Sequence, residues 1–273
     1  MRKALLILSV FYFSQLAAQK DKIYHSFEDA LANPTQVHRL KIVYHHLDSI
    51  PPGLSKLVNL EKLELNNNDL RTIPAEICEL PNLKELNLFR NKITRLPENI
   101  GNLKKLEKLI LSSNRLMQIP AGIGKLENLK ELSIKDNRLT SLPDQLCHLK
   151  KLEQLFLSYN DLKAVPDSIG NLVLLEQLYL GDNDLLSLPP SAARLVNVKY
   201  FYLGRNEFMS FPSAICSMTK LKELDISYCG AMGFLPNCLD NIELLDVLII
   251  DSNQTIPFAV SRFHNPSIKV IVK

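Results

Sequence analysis

From Val37 onward the chain repeats itself every 23 residues, and that period constrains its fold more than any other feature. An apolar residue opens each unit at Val37, Leu60, Leu83, Leu106, Leu129, Leu152, Leu175, Val198 and Leu221. One extra residue then shifts the register to Leu245, and a partial unit opens at Ile268. Within a unit the pattern is L-x-x-L-x-L-x-x-N-x-L-x-x-I/L-P-x-x-I-x-x-L-x-x, clearest in residues 60–82 and 83–105. Proline holds one position at Pro51, Pro74, Pro97, Pro120, Pro143, Pro166, Pro189 and Pro212. A period of this length means stacked coils, because one unit cannot bury its own leucines and needs a neighbour on each side.

The pattern resembles the leucine-rich-repeat family over roughly residues 37–273, about ten repeats. The L-P-x-x-I-x-x-L segment resembles repeats of Ras-suppressor-like scaffolds and plant intracellular Ras-group proteins. The opening A-L-x-N-P-x-x-V-x-x-L (Ala30 to Leu40) resembles exported bacterial members such as those of spirochaetes. The resemblance implies an α/β repeat solenoid: a right-handed horseshoe with a concave parallel sheet and short helical turns on its convex side. It implies protein recognition without catalysis, and it does not name the partner.

Physical chemistry supports the same fold. The L-x-L segment alternates apolar with polar, as a strand with one buried face does. Ten such strands at ~4.8 Å spacing make a parallel sheet. Asn68, Asn91, Asn114, Asn137, Asn160, Asn183, Asn206 and Asn253 occupy one position after the strand. An amide both donates and accepts, so a column of them suits the backbone groups left open where the chain turns inward. The proline is placed at the first position of a convex helical turn, which tolerates its missing N–H. Unit 221–244 departs, with Cys229 at the ladder position, Gly230 and Gly233 near the inserted residue, and Pro257 out of register beyond it.

The ends read differently. Residues 1–18 begin with Arg2 and Lys3, run apolar from Ala4 to Phe13 and end on Ala17-Ala18, the layout of an export signal cut after Ala18. No apolar stretch reaches the ~18 residues of a membrane span. Residues 19–36 form a capping segment, with Ser26 and Asp29 as a helix N-cap pair and Asn33-Pro34 as its stop. The repeats occupy 37–267, and 268–273 reads as a cap strand. The formal net charge is +3. Two of those charges belong to the leader, so the mature chain is near neutral, which argues against a nucleic-acid partner. An exported monomer without cofactor is expected.

Five cysteines occur. Cys78, Cys147 and Cys216 share a repeat position three units apart, about 14 Å at sheet spacing, beyond the ~7 Å Cα limit for a bridge. They read as small buried side chains. Cys216 and Cys238 lie on adjacent repeats, the one pair near enough to bridge, and spacing leaves that open. Cys238-Leu239-Asp240 resembles the Cys-x-Asp triplet of bacterial ubiquitin ligases, but the large helical domain those enzymes need does not follow it. His38, His45 and His46 lack Cys or carboxylates at metal-ligand spacing and read as polar surface. Asn253-Gln254-Thr255 matches a glycosylation sequon, yet Asn253 is a ladder residue and should be buried. No phosphate loop or hydrolase motif is present.

Binding residues are sought at positions that alternate with the buried leucines. The residues between the two leucines of successive units are Lys41, Glu64, Asn87, Ile110, Ser133, Phe156, Tyr179, Tyr202, Asp225 and Ile249. Phe156, Tyr179 and Tyr202 follow one another, and Tyr159, Tyr200 and Tyr228 stand in adjacent columns. Five of the eight tyrosines therefore fall on units six to nine. With Arg205 and Asp225 they make a concave-face site, rimmed by Arg90, Lys135, Asp136 and Asp182. Aromatic neighbours also stabilise a sheet, but tyrosine is enriched where proteins bind. The expected function is a protein-binding module. The alternatives are a cell-surface carbohydrate binder using the same stripe and a cytosolic GTPase-pathway scaffold.

Overall fold

A computed structural model describes residues 21–230, 232, 235–252 and 268–273. The leader, Asn253, Pro257 and the sequon lie outside the described residues, as does Gly233. Twelve strands form one open parallel sheet in chain order. They are β1 (Ile23–Tyr24), β2 (Arg39–Lys41), β3 (Lys62–Glu64), β4 (Glu85–Asn87), β5 (Lys108–Ile110) and β6 (Glu131–Ser133), continuing with β7 (Gln154–Phe156), β8 (Gln177–Tyr179), β9 (Tyr200–Tyr202), β10 (Glu223–Asp225), β11 (Val247–Ile250) and β12 (Lys269–Val272). The register advances one repeat per strand: Leu63 pairs Leu86, which pairs Leu109. Each central strand is three residues long, because only the L-x-L stretch alternates before the chain must turn. The result is the solenoid horseshoe that the repeat implied.

Two of the twelve strands come from the caps. The capping segment contributes β1 as well as a helix, and β1 pairs β2 in parallel. A two-residue strand carries no periodicity, so the sequence reading saw only the helix. That helix, α1 (Phe27–Ala32), starts where expected: Ser26 Oγ accepts the Asp29 N–H at 3.1 Å. It buries Ala30 and packs Phe27 and Leu31 against the core. Tyr24 closes the same end at 4% exposure. At the other end β12 pairs β11 over four residues.

The core is a column of leucines. Leu63, Leu86, Leu109, Leu132, Leu155 and Leu178 are buried behind the sheet, and Phe201 takes the same place in β9. Outside the sheet the chain makes one short 3-10 turn per coil, such as Ala75–Glu79 and Ala121–Lys125. The repeated proline stands one place earlier than expected. In the units of Pro51 and Pro166 the turn starts later, capped by Gly53 and Ser168. In the other six of the eight units the proline is the N-cap of the turn, extended at φ −66° and ψ 146° for Pro74. There its carbonyl accepts the Ile77 N–H at 3.1 Å. Proline suits this site because its fixed φ matches and its missing N–H is not called on.

The asparagine column performs the exchange expected of it. Asn114 Nδ2 donates to the Leu88 carbonyl on the preceding coil and the Leu111 carbonyl on its own, each at 2.9 Å. Its Oδ1 accepts the Ile93 N–H at 3.1 Å. Asn68, Asn91, Asn137, Asn160, Asn183 and Asn206 repeat this pattern. Cys229 replaces the next rung, and its Sγ donates to Leu203 O at 3.0 Å, the same 26-residue step back. Burial pushes its thiol up to about 12. Cys78 and Cys147 are buried and free, whereas Cys216 and Cys238 are bridged with their Cα atoms 5.5 Å apart. The bridge takes up the sulfur that a Cys-x-Asp nucleophile at Cys238 would need.

Candidate functional site on the concave face

In each three-residue strand the middle side chain points into the core and the outer two face the concave surface. These outer columns divide the surface in two. From β2 to β6 they carry opposite charges across neighbouring strands. Lys62 meets Glu85 at 2.7 Å, Lys108 meets Glu131 at 2.5 Å and Lys41 meets Glu64 at 3.4 Å. One residue before the strands, Lys84 meets Glu61 and Lys130 meets Glu107, a column that continues as Lys199 with Glu176. The Glu85 carboxylate, accepting from Lys62, holds that ammonium above its ordinary range despite partial burial. This half of the face is covered by pairs that satisfy one another.

From β7 the character changes. Phe156, Tyr179 and Tyr202 occupy three successive strands in direct register. The Phe156 and Tyr179 rings are 4.9 Å apart and tilted, and those of Tyr179 and Tyr202 are 4.3 Å apart and stacked. Burial raises the phenol pKa of both tyrosines, and the Glu223 carboxylate beside Tyr202 adds to its rise. The aromatic wall borders a concavity of about 340 Å³.

Beyond the wall, the residue two places after Tyr179 and after Tyr202 shrinks to Gly181 and Gly204, both lining the concavity. A Cβ at Gly204 would stand 3.0 Å from Asp225 Oδ1 and 3.1 Å from Ser227 Oγ. The glycines therefore form an open floor, which the sequence reading missed. The available signal was glycine on two consecutive repeats where neighbouring units carry Ser158 and Ser227.

Asp225 lies beside this floor with 7% exposure. Ser227 N and Oγ donate to its Oδ1 at 2.9 and 2.6 Å. Its Oδ2 faces the Lys273 ammonium at 2.8 Å, a contact spanning 48 residues of sequence.

Tyr159, Arg205 and Tyr228 belong to a third column with its own backbone requirement. Tyr44, Asn67, Arg90, Ser113, Asp136, Tyr159, Asp182, Arg205 and Tyr228, spaced by 23 residues, all adopt positive φ. The chain reverses there, one residue before the ladder position, and L residues enter this region at some cost. The turn lifts these side chains to the rim. Lys135 lies 4.8 Å from the centre of the Tyr159 ring, and Arg205 lies 5.7 Å from that of Tyr228. Arg205 also approaches Asp182 at 3.7 Å.

Of the residues expected to bind, Phe156, Tyr159, Tyr179, Tyr202, Arg205 and Asp225 meet around the concavity. Tyr228 stands outside it beneath Arg205. Tyr200 faces the same side of the sheet one column away, between Gln177 and Glu223 on adjacent strands. The histidines are dispersed: His46 Nδ1 pairs Asp69 at 3.2 Å and His38 lies near Glu61. Among the described residues, no three His, Cys, Asp or Glu side chains gather as metal ligands. No helix among them is long and apolar enough to cross a membrane.

Comparison with known proteins places this geometry. A leucine-rich-repeat protein of Leptospira interrogans is 28% identical, with a TM-score of 0.72 over 93% of this chain and 76% of that one. A plant peptide hormone receptor, solved in complex with RGF2, is 29% identical with a TM-score of 0.70. That match covers 85% of this chain and 38% of the receptor. The leucine-rich-repeat protein FLRT2, from an octameric complex with Latrophilin 3 and Unc5D, is 26% identical with a TM-score of 0.71. It covers 88% of this chain and 77% of its own. No curated relative matches at significance. The family model described as Leucine rich repeat matches residues 35–93, 58–116, 104–162 and 173–230. With the period, the asparagine ladder and the parallel sheet all in agreement, this chain belongs to the leucine-rich-repeat family.

Proposed function

We propose that this chain is an exported, non-catalytic module that binds a protein partner through the concave face of β7 to β10. The observation that carries this reading is the break in surface chemistry. From β2 to β6 the outer columns carry Lys–Glu pairs made within the chain, whereas from β7 to β9 one outer column turns into the aromatic wall of Phe156, Tyr179 and Tyr202, which borders a concavity. Rigid rings flanked by mixed charge suit a protein interface, where tyrosine and arginine supply much of the binding energy. The plant receptor and FLRT2 were each solved with protein or peptide partners, and their fold and degree of identity support the same use here. The leader at residues 1–18 supports export.

The test begins with crosslinking and mass spectrometry in the native host, to identify the partner. Capture of that partner is expected to fall at least about tenfold when Tyr179 and Tyr202 are both changed to Ala, as for a central aromatic pair. Unchanged capture by a folded double variant would refute the concave-face reading. A glycan array run in parallel separates the carbohydrate alternative. N-terminal sequencing of the native product should begin near Gln19; a product starting at Met1 would favour the cytosolic scaffold.

A further inference from the structure

The concavity has a chemical preference that its aromatic character does not explain. Of the charged groups that line it, Asp225 is the one held in place by burial. Lys135 and Arg205 are exposed at the rim, one over Tyr159 and the other between Tyr228 and Asp182. Asp225 Oδ1 is oriented by Ser227, and Oδ2 faces an ammonium that arrives from the far end of the described chain, at Lys273. That ammonium lines the same concavity as the Tyr179 and Tyr202 rings.

We propose that this concavity is a pocket for a cationic side chain, an arginine or lysine on an extended segment of the protein partner, and that Lys273 occupies it in the free molecule. The proposal rests on the concave face being the docking surface and specifies what docks there. Three features support it. The buried carboxylate provides a fixed charge for a cation. The Tyr202 ring face turned away from Tyr179, toward Asp225 on β10, provides the π surface that a guanidinium or ammonium prefers. The Gly181 and Gly204 floor keeps side chains from filling the space in front of Asp225.

Lys273 is a weak occupant. Its side chain is 44% exposed, and partly exposed Lys–carboxylate pairs contribute little after screening and side-chain entropy are counted. An incoming arginine donates to Asp225 Oδ2 while its guanidinium plane lies flat on a tyrosine ring, a combination that an ammonium cannot make. The exchange therefore favours a partner's arginine over the chain's own lysine.

The test uses the full chain and three capped pentapeptides, Ac-Gly-Ser-X-Ser-Gly-NH2, in which X is arginine, citrulline or glutamate. Binding is read from the Gly181 and Gly204 amide signals in an NMR titration. The arginine peptide is expected to bind with a Kd on the order of 1 mM, a scale suited to one anchoring side chain, and to weaken as salt is raised. Asp225→Asn, which keeps the shape and an acceptor for Ser227, should weaken it at least about tenfold. Lys273→Ala should tighten it about threefold by removing the competitor.

Equal binding of the citrulline peptide, an unaffected Asp225→Asn variant, or weaker binding by Lys273→Ala would each overturn the proposal. So would a response to cellohexaose with none to the arginine peptide. Partner capture by Tyr179→Ala/Tyr202→Ala separates the two levels. If that capture is lost while arginine shows no preference, the docking face stands and the cation pocket falls. If arginine binds while capture is unchanged, the concavity holds a cation but the partner docks elsewhere, and the docking face falls together with the proposal that the partner's side chain fills it.

Discussion

At the scale of the residue, Tyr159 shows how this surface trades local stability for exposure. Its φ of 59° lies in the left-handed region, and its ring is half exposed. Asn67 occupies the equivalent place in the second repeat, where its short amide tolerates the same backbone. Tyr159→Asn is therefore expected to raise stability by up to about 1 kcal/mol, read as a shift in the urea midpoint, while lowering partner capture. A lower midpoint would mean that the ring's contact with Lys135 outweighs the backbone strain. Tyr179 and Tyr202 make a second prediction. Burial raises both pKa values, so the folded state keeps phenolic protons that the unfolded chain releases near pH 10. Their contribution to stability is thus complete below pH 10 and declines as pH rises above it. In alkaline titration at 295 nm, Tyr202→Phe should match the native protein up to pH 10 and differ only above it.

At the scale of the element, the coil is a unit held by its corners more than by its strands. A three-residue strand provides few ladder bonds, so the asparagine that links each coil to the one before carries unusual weight. Asn114→Ala removes one acceptor and two donors at once. It should cost about 3 kcal/mol or more, because the carbonyls of Leu88 and Leu111 and the N–H of Ile93 are left buried without it. Chemical denaturation measures this directly, and a loss under 1 kcal/mol would mean that water replaces the amide. The ladder position was legible in the sequence because asparagine recurs there in seven consecutive units, from Asn68 to Asn206. The N-cap role of the prolines was misplaced by one residue, since spacing fixes a period but not the backbone angles within it. The β1 strand was not legible, because two residues cannot display alternation and the pairing exists only once β2 is present.

At the scale of the whole molecule, each coil's backbone packs on its neighbours, so local defects stay local. The Cys216–Cys238 bridge joins adjacent coils near the irregular unit, closing a 22-residue separation. Reducing it should destabilise that end by about 3 kcal/mol on the chain-entropy account, visible as earlier melting of the C-terminal coils in hydrogen exchange. Alkylation with and without reductant should differ by two groups in the intact mass of the unfolded chain; no difference would rule out the bridge.

Period, strand pattern and cap signals in the sequence alone determine the solenoid, because stacking near-identical units admits one way of burying the leucines. The aromatic column was also readable, since parallel register places equivalent residues side by side. Three features arose only from the folded chain: the glycine floor that opens the pocket, the disulfide, and Lys273 facing Asp225. Spacing left the bridge open and the glycines recur on two consecutive repeats, but whether two sulfurs meet or a floor opens is decided by distances in the folded chain, and the spacing of Lys273 and Asp225 carries no signal at all. The partnership of Lys273 and Asp225 illustrates the reason most plainly. Forty-eight residues separate them along the chain, and only the closing strand β12, laid beside β11, brings the ammonium back to the carboxylate.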